Sequence, residues 1–193
     1  RKRNDRSDRH ALIAFGLIHE NLPHVFERPD DLEARGAVLL GASHAGAAIE
    51  RSMLGAAHSM ANPLTARRGT VHGIAVGLAL PVVMEFNAGH PETKARYAKL
   101  ARQAGLVPED SPETDSVETL IARVRHLLSL ANFPSSLSEL GFEEADLAGL
   151  AKSASEQWTA GFNPRPIETS DFVQLYSLLF NTAPCNGETQ EIS

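Results

Sequence analysis

Apolar positions recur at helical intervals along most of the chain. In segment 7–26, Ala11, Leu12, Phe15, Ile18 and Leu22 share one face, with Ser7 as a candidate N-cap and Pro23 predicted to end or bend the helix. Segment 28–61 opens with Pro29, Asp30, Asp31 and Glu33, which suit the positive end of a helix. It continues through Gly41, Ala42, Ser43, Ala45, Gly46, Ala47 and Ala48. Such small residues bury little area but admit a second helix closely, so a central, buried helix is expected here. A break is predicted between Asn62 and Gly69. An apolar segment, 70–87, follows, which Pro81 should kink or end.

The later segments carry clearer punctuation. Segment 90–106 has Pro91 at its start and Gly105 at its end. Segment 111–133 sets Leu120, Ile121, Val124, Leu127 and Leu128 on one face. Residues 134–142 read as a loop, 143–158 as an amphipathic helix and 161–166 as a loop. Residues 168–180 read as a last helix with Thr169 or Ser170 as its cap. No alternating, turn-bounded pattern marks a strand. The prediction is one all-α, multi-helix domain over 1–193, of about seven or eight helices.

Composition adds exclusions. With 42% hydrophobic and 22% charged residues the chain has a globular composition. No apolar run reaches the roughly 18 residues that span a bilayer, so no membrane is expected. The basic start, RKRNDRSDRH, has no apolar region behind it and does not read as a signal peptide. A net charge of -6 argues against a nucleic-acid partner. The single cysteine, Cys185, cannot form an internal disulfide, which fits a cytoplasmic protein.

Candidate chemistry centres on GAAHSMANPLTARRGTVHG, residues 55–73, where His58 and His72 stand fourteen residues apart. On one straight helix that spacing spans about 21 Å. Two ligands of one metal need nitrogens a few ångströms apart, because each lies about 2.1 Å from the ion. The pair can share a metal only if the chain turns between them. Pro63 and Gly69 can supply the turn, with one helix ending near Ala61 and another starting near Thr70. The residues alone favour two ordinary histidines near a turn over a metal site. His10, His19, His24, His90 and His126 have no ligand-like spacing and read as surface or helix-end residues. His44 reads as buried and hydrogen-bonded, or as lining the same cavity as His58 and His72. Arg67 and Arg68 read as a solvated loop, Trp158 and Phe162 as packing the last helices together, and Arg165 as pairing with a carboxylate.

Residues 41–87, GASHAGAAIERSMLGAAHSMANPLTARRGTVHGIAVGLALPVVMEFN, resemble the signature region of the iron-containing (group III) alcohol dehydrogenases. HENLPHVFERPDDLEAR, residues 19–35, is similar to the segment before that signature. LSELGFEEADLAGLAKSA and NPRPIETSDFVQLYSLLF are similar to the family's C-terminal end. The resemblance implies the family's helical C-terminal domain, of the dehydroquinate synthase-like fold. It implies a divalent metal, Fe2+ in the first instance or Zn2+, acting as a Lewis acid on the oxygen of an alcohol or aldehyde, with hydride passed to NAD(P). The family's ligands are an Asp and a His one turn apart, then two later histidines that match His58 and His72. A homodimer or higher oligomer is also implied.

Two departures qualify this. The first two ligands are expected before Arg1, since Asp5 is followed four residues later by Arg9, and no glycine-rich nucleotide loop is present. The expectation is half a metal site without its N-terminal Rossmann-like domain. Such a chain should be inactive alone, whether as a fragment or as a truncated helical module that binds a partner or self-associates. The family also often carries a histidine four residues after the first signature histidine. Here that candidate catalytic position is Asn62, which can hydrogen-bond but not titrate near neutrality. Asn62-Pro63 reads more readily as a helix-ending turn.

Overall fold

The structure, a computed structural model, describes residues 3–181, so Cys185 lies outside the described residues. Eight α-helices run in the order α1 (Asp5–Glu27), α2 (Leu32–Ser52), α3 (Ala56–Arg68), α4 (His72–Ala88), α5 (Pro91–Gln103), α6 (Glu113–Leu130), α7 (Leu147–Ser155) and α8 (Thr169–Asn181). Short 3-10 turns occupy Glu144–Asp146 and Trp158–Phe162. No strand occurs among the described residues, and the all-α prediction holds.

α1 and α2 form an antiparallel hairpin. Asn4, not Ser7, caps α1: its side chain accepts the Arg6 and Ser7 amides, and Ser7 returns a bond to the Asn4 amide. Pro23 lies inside the helix, which continues to Glu27. Asp31 caps α2 by accepting the Ala34 amide.

The expectation of a central, buried helix over 28–61 is corrected. The segment breaks at Met53–Gly55, where Met53 takes a positive φ of 81°. α2 itself is peripheral: only Ala34, Gly41 and Ala48 are buried, while Leu39 is 71% exposed. Its small residues serve one close approach, at Gly41, where a Cβ would meet Ile18 at 2.7 Å and the Ala14 carbonyl at 3.2 Å.

The central helix is α3. Ala56, Ala57, Met60, Ala61 and Leu64 enter the main core with Leu78 and Val82 of α4, Leu150 and Ala154 of α7, and Phe172 and Tyr176 of α8. Pro63 does not break α3 and Pro81 does not end α4; both are buried inside their helices. Each removes one N–H from the ladder, but each ring adds buried apolar surface where the helix is already held on several sides. A second cluster joins Met84 of α4, Ala98 and Ala101 of α5, and Val117, Leu120 and Ile121 of α6. Pro91 at the first turn of α5 and Gly105 at φ +70° sit where the sequence pattern places them. α8 is flanked by Glu168, whose amide donates to Asp171 Oδ2 at 2.8 Å, so neither Thr169 nor Ser170 caps it.

No single helix among the described residues is long and apolar enough to cross a membrane.

Candidate metal centre

α3 ends at Gly69, which adopts φ +65° and donates its amide to the Thr65 carbonyl at 2.9 Å. The left-handed conformation suits glycine, which has no Cβ to clash. Val71, at φ -55° and ψ 125°, leads directly into α4, whose first residue is His72. This link returns the chain toward the start of α3. His58 Nδ1 and His72 Nε2 stand 3.1 Å apart, with ring centroids separated by 5.2 Å. The corner inferred from the sequence exists, made by Gly69 without Pro63.

This distance fits a shared ion. Two nitrogens each about 2.1 Å from one metal, at ordinary ligand angles, are themselves about 3 to 3.5 Å apart. It fits equally a single N–H···N bond between neutral rings. Burial lowers the His58 pKa, and repulsion from a protonated His72 lowers it further. His58 is therefore held neutral, the state that ligates metal. His58 is half-buried and His72 exposed, so the pair opens to the outside on one side. No third His, Cys, Asp or Glu completes a cluster among the described residues, and His44 is not part of it.

The first turn of α3 is fixed from far along the chain. Gly55 offers no side-chain cap; instead Asn163 Oδ1 accepts the Ala56 amide at 3.2 Å. Ser59 Oγ and Thr159 Oγ1 share a bond of 2.7 Å, and the Tyr176 hydroxyl donates to the Met60 carbonyl at 2.7 Å. Burial pushes the Tyr176 phenol far above its ordinary pKa, so it remains a donor. Asn163 also exchanges two amide bonds with Asn87 and donates to the Arg165 carbonyl at 2.7 Å. These supporting residues were not singled out from the sequence. Asn163, in the quoted NPRP loop, offered the nearest signal.

Asn62 lies one turn beyond His58 and is half-buried. Its Nδ2 donates to Gln157 Oε1 at 2.8 Å. Arg165 does not pair with a carboxylate: it stacks 3.9 Å over the Phe86 ring and donates to the Phe86 carbonyl at 2.7 Å. Arg67 and Arg68 close the end of α3 rather than a solvated loop, reaching Asp146 at 3.7 and 3.5 Å. Trp158 is 61% exposed and meets Phe162 edge-to-face at 5.9 Å, so the two do not pack the last helices together. His19 is not a surface residue. It is 5% exposed, stacked on Phe15 at 4.9 Å. His44 is half-buried and bonded to His10.

A helical domain with two facing imidazoles at a glycine corner is the class of protein defined so far. Residues 1–180 match the family model described as Fe-containing alcohol dehydrogenase family, C-terminal, and the chain belongs to that family. It is 30% identical over 167 residues to a 1-propanol dehydrogenase of Salmonella typhimurium, covering 84% of this chain and 45% of that protein. It is 30% identical over 175 residues to an NAD-dependent methanol dehydrogenase of Bacillus methanolicus, covering 88% of this chain and 44% of that one. The fold superimposes on a crystal structure of 1,3-propanediol oxidoreductase with a TM-score of 0.86 and 27% identity, over 92% of this chain and 46% of that chain. The chain thus spans less than half the length of the relatives it matches.

Proposed function

We propose that this chain supplies two ligands, His58 and His72, to the divalent-metal centre of an NAD(P)-dependent dehydrogenase that interconverts small alcohols with aldehydes or ketones. The observation that carries this is the 3.1 Å separation of His58 Nδ1 and His72 Nε2, inside a fold belonging to the Fe-containing alcohol dehydrogenase family. The other ligands come from outside the described residues. Bound there, Fe2+ or Zn2+ supplies Lewis acidity toward a substrate oxygen. The protein's share is orientation. α3 and α4 fix the two rings, burial keeps His58 neutral, and the exposed side of His72 leaves room for substrate. Asn62 would position a water or substrate hydroxyl without titrating. The small-alcohol class and the use of NAD(P) rest on the names of the relatives.

Titration of Zn2+ into isotope-labelled protein tests the site. The ring resonances of His58 and His72 should shift together. The His58→Ala variant should lose the shift at His72, and independent behaviour of the two rings would sink the reading. The chain mixed with NAD+, Zn2+ or Fe2+ and 1-propanol should form no NADH by itself.

A second reading, a helical module that binds a partner or self-associates, draws on the apolar side chains that α2 leaves exposed, Leu39 and Leu40 among them. Analytical ultracentrifugation separates it: a Leu39→Glu/Leu40→Glu variant that changes neither mass nor metal response removes this reading.

A further inference from the structure

A second pair of imidazoles faces itself on the α1–α2 hairpin. His10 Nδ1 and His44 Nδ1 lie 2.9 Å apart, although the residues are separated by 34 positions. Their ring centroids are 5.1 Å apart and their planes tilt by 39°, against 5.2 Å and 41° for His58 and His72. One helical register produces the pairing. At the hairpin's open end Asn4 Nδ2 donates to the Arg51 carbonyl at 3.0 Å. About three turns inward Gly41 lies against Ala14, too close to accept a Cβ without movement. Between these two fixed points, His10 must meet His44.

Both rings are half-buried, with an edge left to solvent. In the neutral tautomer protonated at Nε2, each ring directs its Nδ1 lone pair at the space between them. That arrangement is repulsive when nothing lies between the rings and favourable when a cation does. No third His, Cys, Asp or Glu stands with them among the described residues. Water can complete the coordination sphere.

We propose that His10 and His44 form a second transition-metal site, distinct from His58 and His72, in which one divalent ion is held by both Nδ1 atoms and clamps α1 to α2. Imidazole pairs favour Cu2+ over Ni2+ and Zn2+. Burial first, then the Arg51, His44 and Arg9 charges, hold His10 below its ordinary pKa. Arg51 also repels a dication, partly answered by Glu50, 3.6 Å from its guanidinium. That repulsion acts alike on every divalent ion, so the preference for Cu2+ rests on the imidazole ligands alone. The hairpin meets the rest of the molecule through α1 against α6.

Calorimetric titration with Cu2+ tests the site in a His58→Ala/His72→Ala background, which removes the other pair. One equivalent of Cu2+ should bind. Adding His10→Ala or His44→Ala should weaken binding by at least the roughly tenfold that loss of a supporting partner costs a metal site. Cu2+ should also raise the melting temperature of the background variant and leave that of the His10→Ala derivative unmoved. Should the background variant fold poorly, His10→Ala alone in the otherwise native chain should remove one of two Cu2+ equivalents. Binding indifferent to both His10→Ala and His44→Ala overturns the proposal, as does no binding at all. In the background variant the readout does not involve His58 or His72, and in the native chain the equivalent that remains reports them, so failure here leaves the first centre untouched.

Discussion

The side-chain oxygen of Asn163 caps the backbone amide of Ala56 at 3.2 Å, across 107 residues of sequence. Ala56 begins α3 two residues before His58, so a loop near the end of the chain sets the helix that carries the first candidate ligand. Asn163→Ala removes this cap, worth about 1 kcal/mol, and strips Asn87 of its amide partner at about 1 to 3 kcal/mol. A loss of about 2 to 4 kcal/mol in urea denaturation is expected, together with a weaker Zn2+ response at His58. A variant as stable as the native chain would show the network to be idle.

Asn62 tests differently, because its amide is engaged. Asn62→Ala removes a half-buried bond to Gln157, so about 1 kcal/mol should be lost. Gln157→Ala should cost a similar amount and leave the Asn62 amide free. If Asn62 acts only by holding Gln157, the two variants and their double combination cost the same. Greater damage to metal response from Asn62→Ala than from Gln157→Ala assigns it a role at the centre.

Gly69→Ala isolates backbone strain. Nothing lies within 4 Å of the added Cβ, so the cost comes from φ +65° alone, about 1 to 2 kcal/mol. Gly69→Asn should recover part of it, since asparagine tolerates this region better. Thermal melting of the two variants checks the order. Equal melting temperatures would mean the corner rearranges, which the His58–His72 ring resonances would then report.

His19 gives a pH dependence. Burial lowers its pKa from the ordinary 6.5; Glu20 pulls upward, Arg123 adds to the lowering and the Ala104 carbonyl opposes it. The folded state thus prefers the neutral ring. Above the unfolded value nothing is lost, since both states are neutral. As pH falls below it, the unfolded chain takes up the proton first and stability declines until the folded value is passed. His19→Phe, stacking on Phe15, should lose less stability than the native chain between about pH 7 and pH 5. Parallel pH profiles would assign the acid sensitivity to other groups.

α5 could be read directly because Pro91 and Gly105 act locally, each through its own backbone. α6 was legible because its apolar period is strong. The break expected after Asn62 does not form, because Pro63 carries a local penalty that burial in the core offsets, and burial is a property of the whole fold. The small residues of α2 suggest a buried helix, whereas among its glycines only Gly41 meets another backbone closely. The break at Met53 has little local signal, since methionine rarely adopts a φ of 81°. His58 and His72 were legible through Gly69 and the family likeness. His10 and His44 were not, because their meeting depends on the register of two helices across 34 residues.

The bonds that hold α3 have a kinetic consequence. His58 and His72 are joined by a short link, but α3 is steadied by Thr159, Asn163 and Tyr176, contacts 100, 107 and 116 residues away. Closing loops of that length is entropically costly and slow compared with forming a helix. In a chain still folding, the two imidazoles are neighbours in sequence whose orientation is not yet set. The relative orientation of the two rings therefore depends on contacts that close long loops, not on the short link between them.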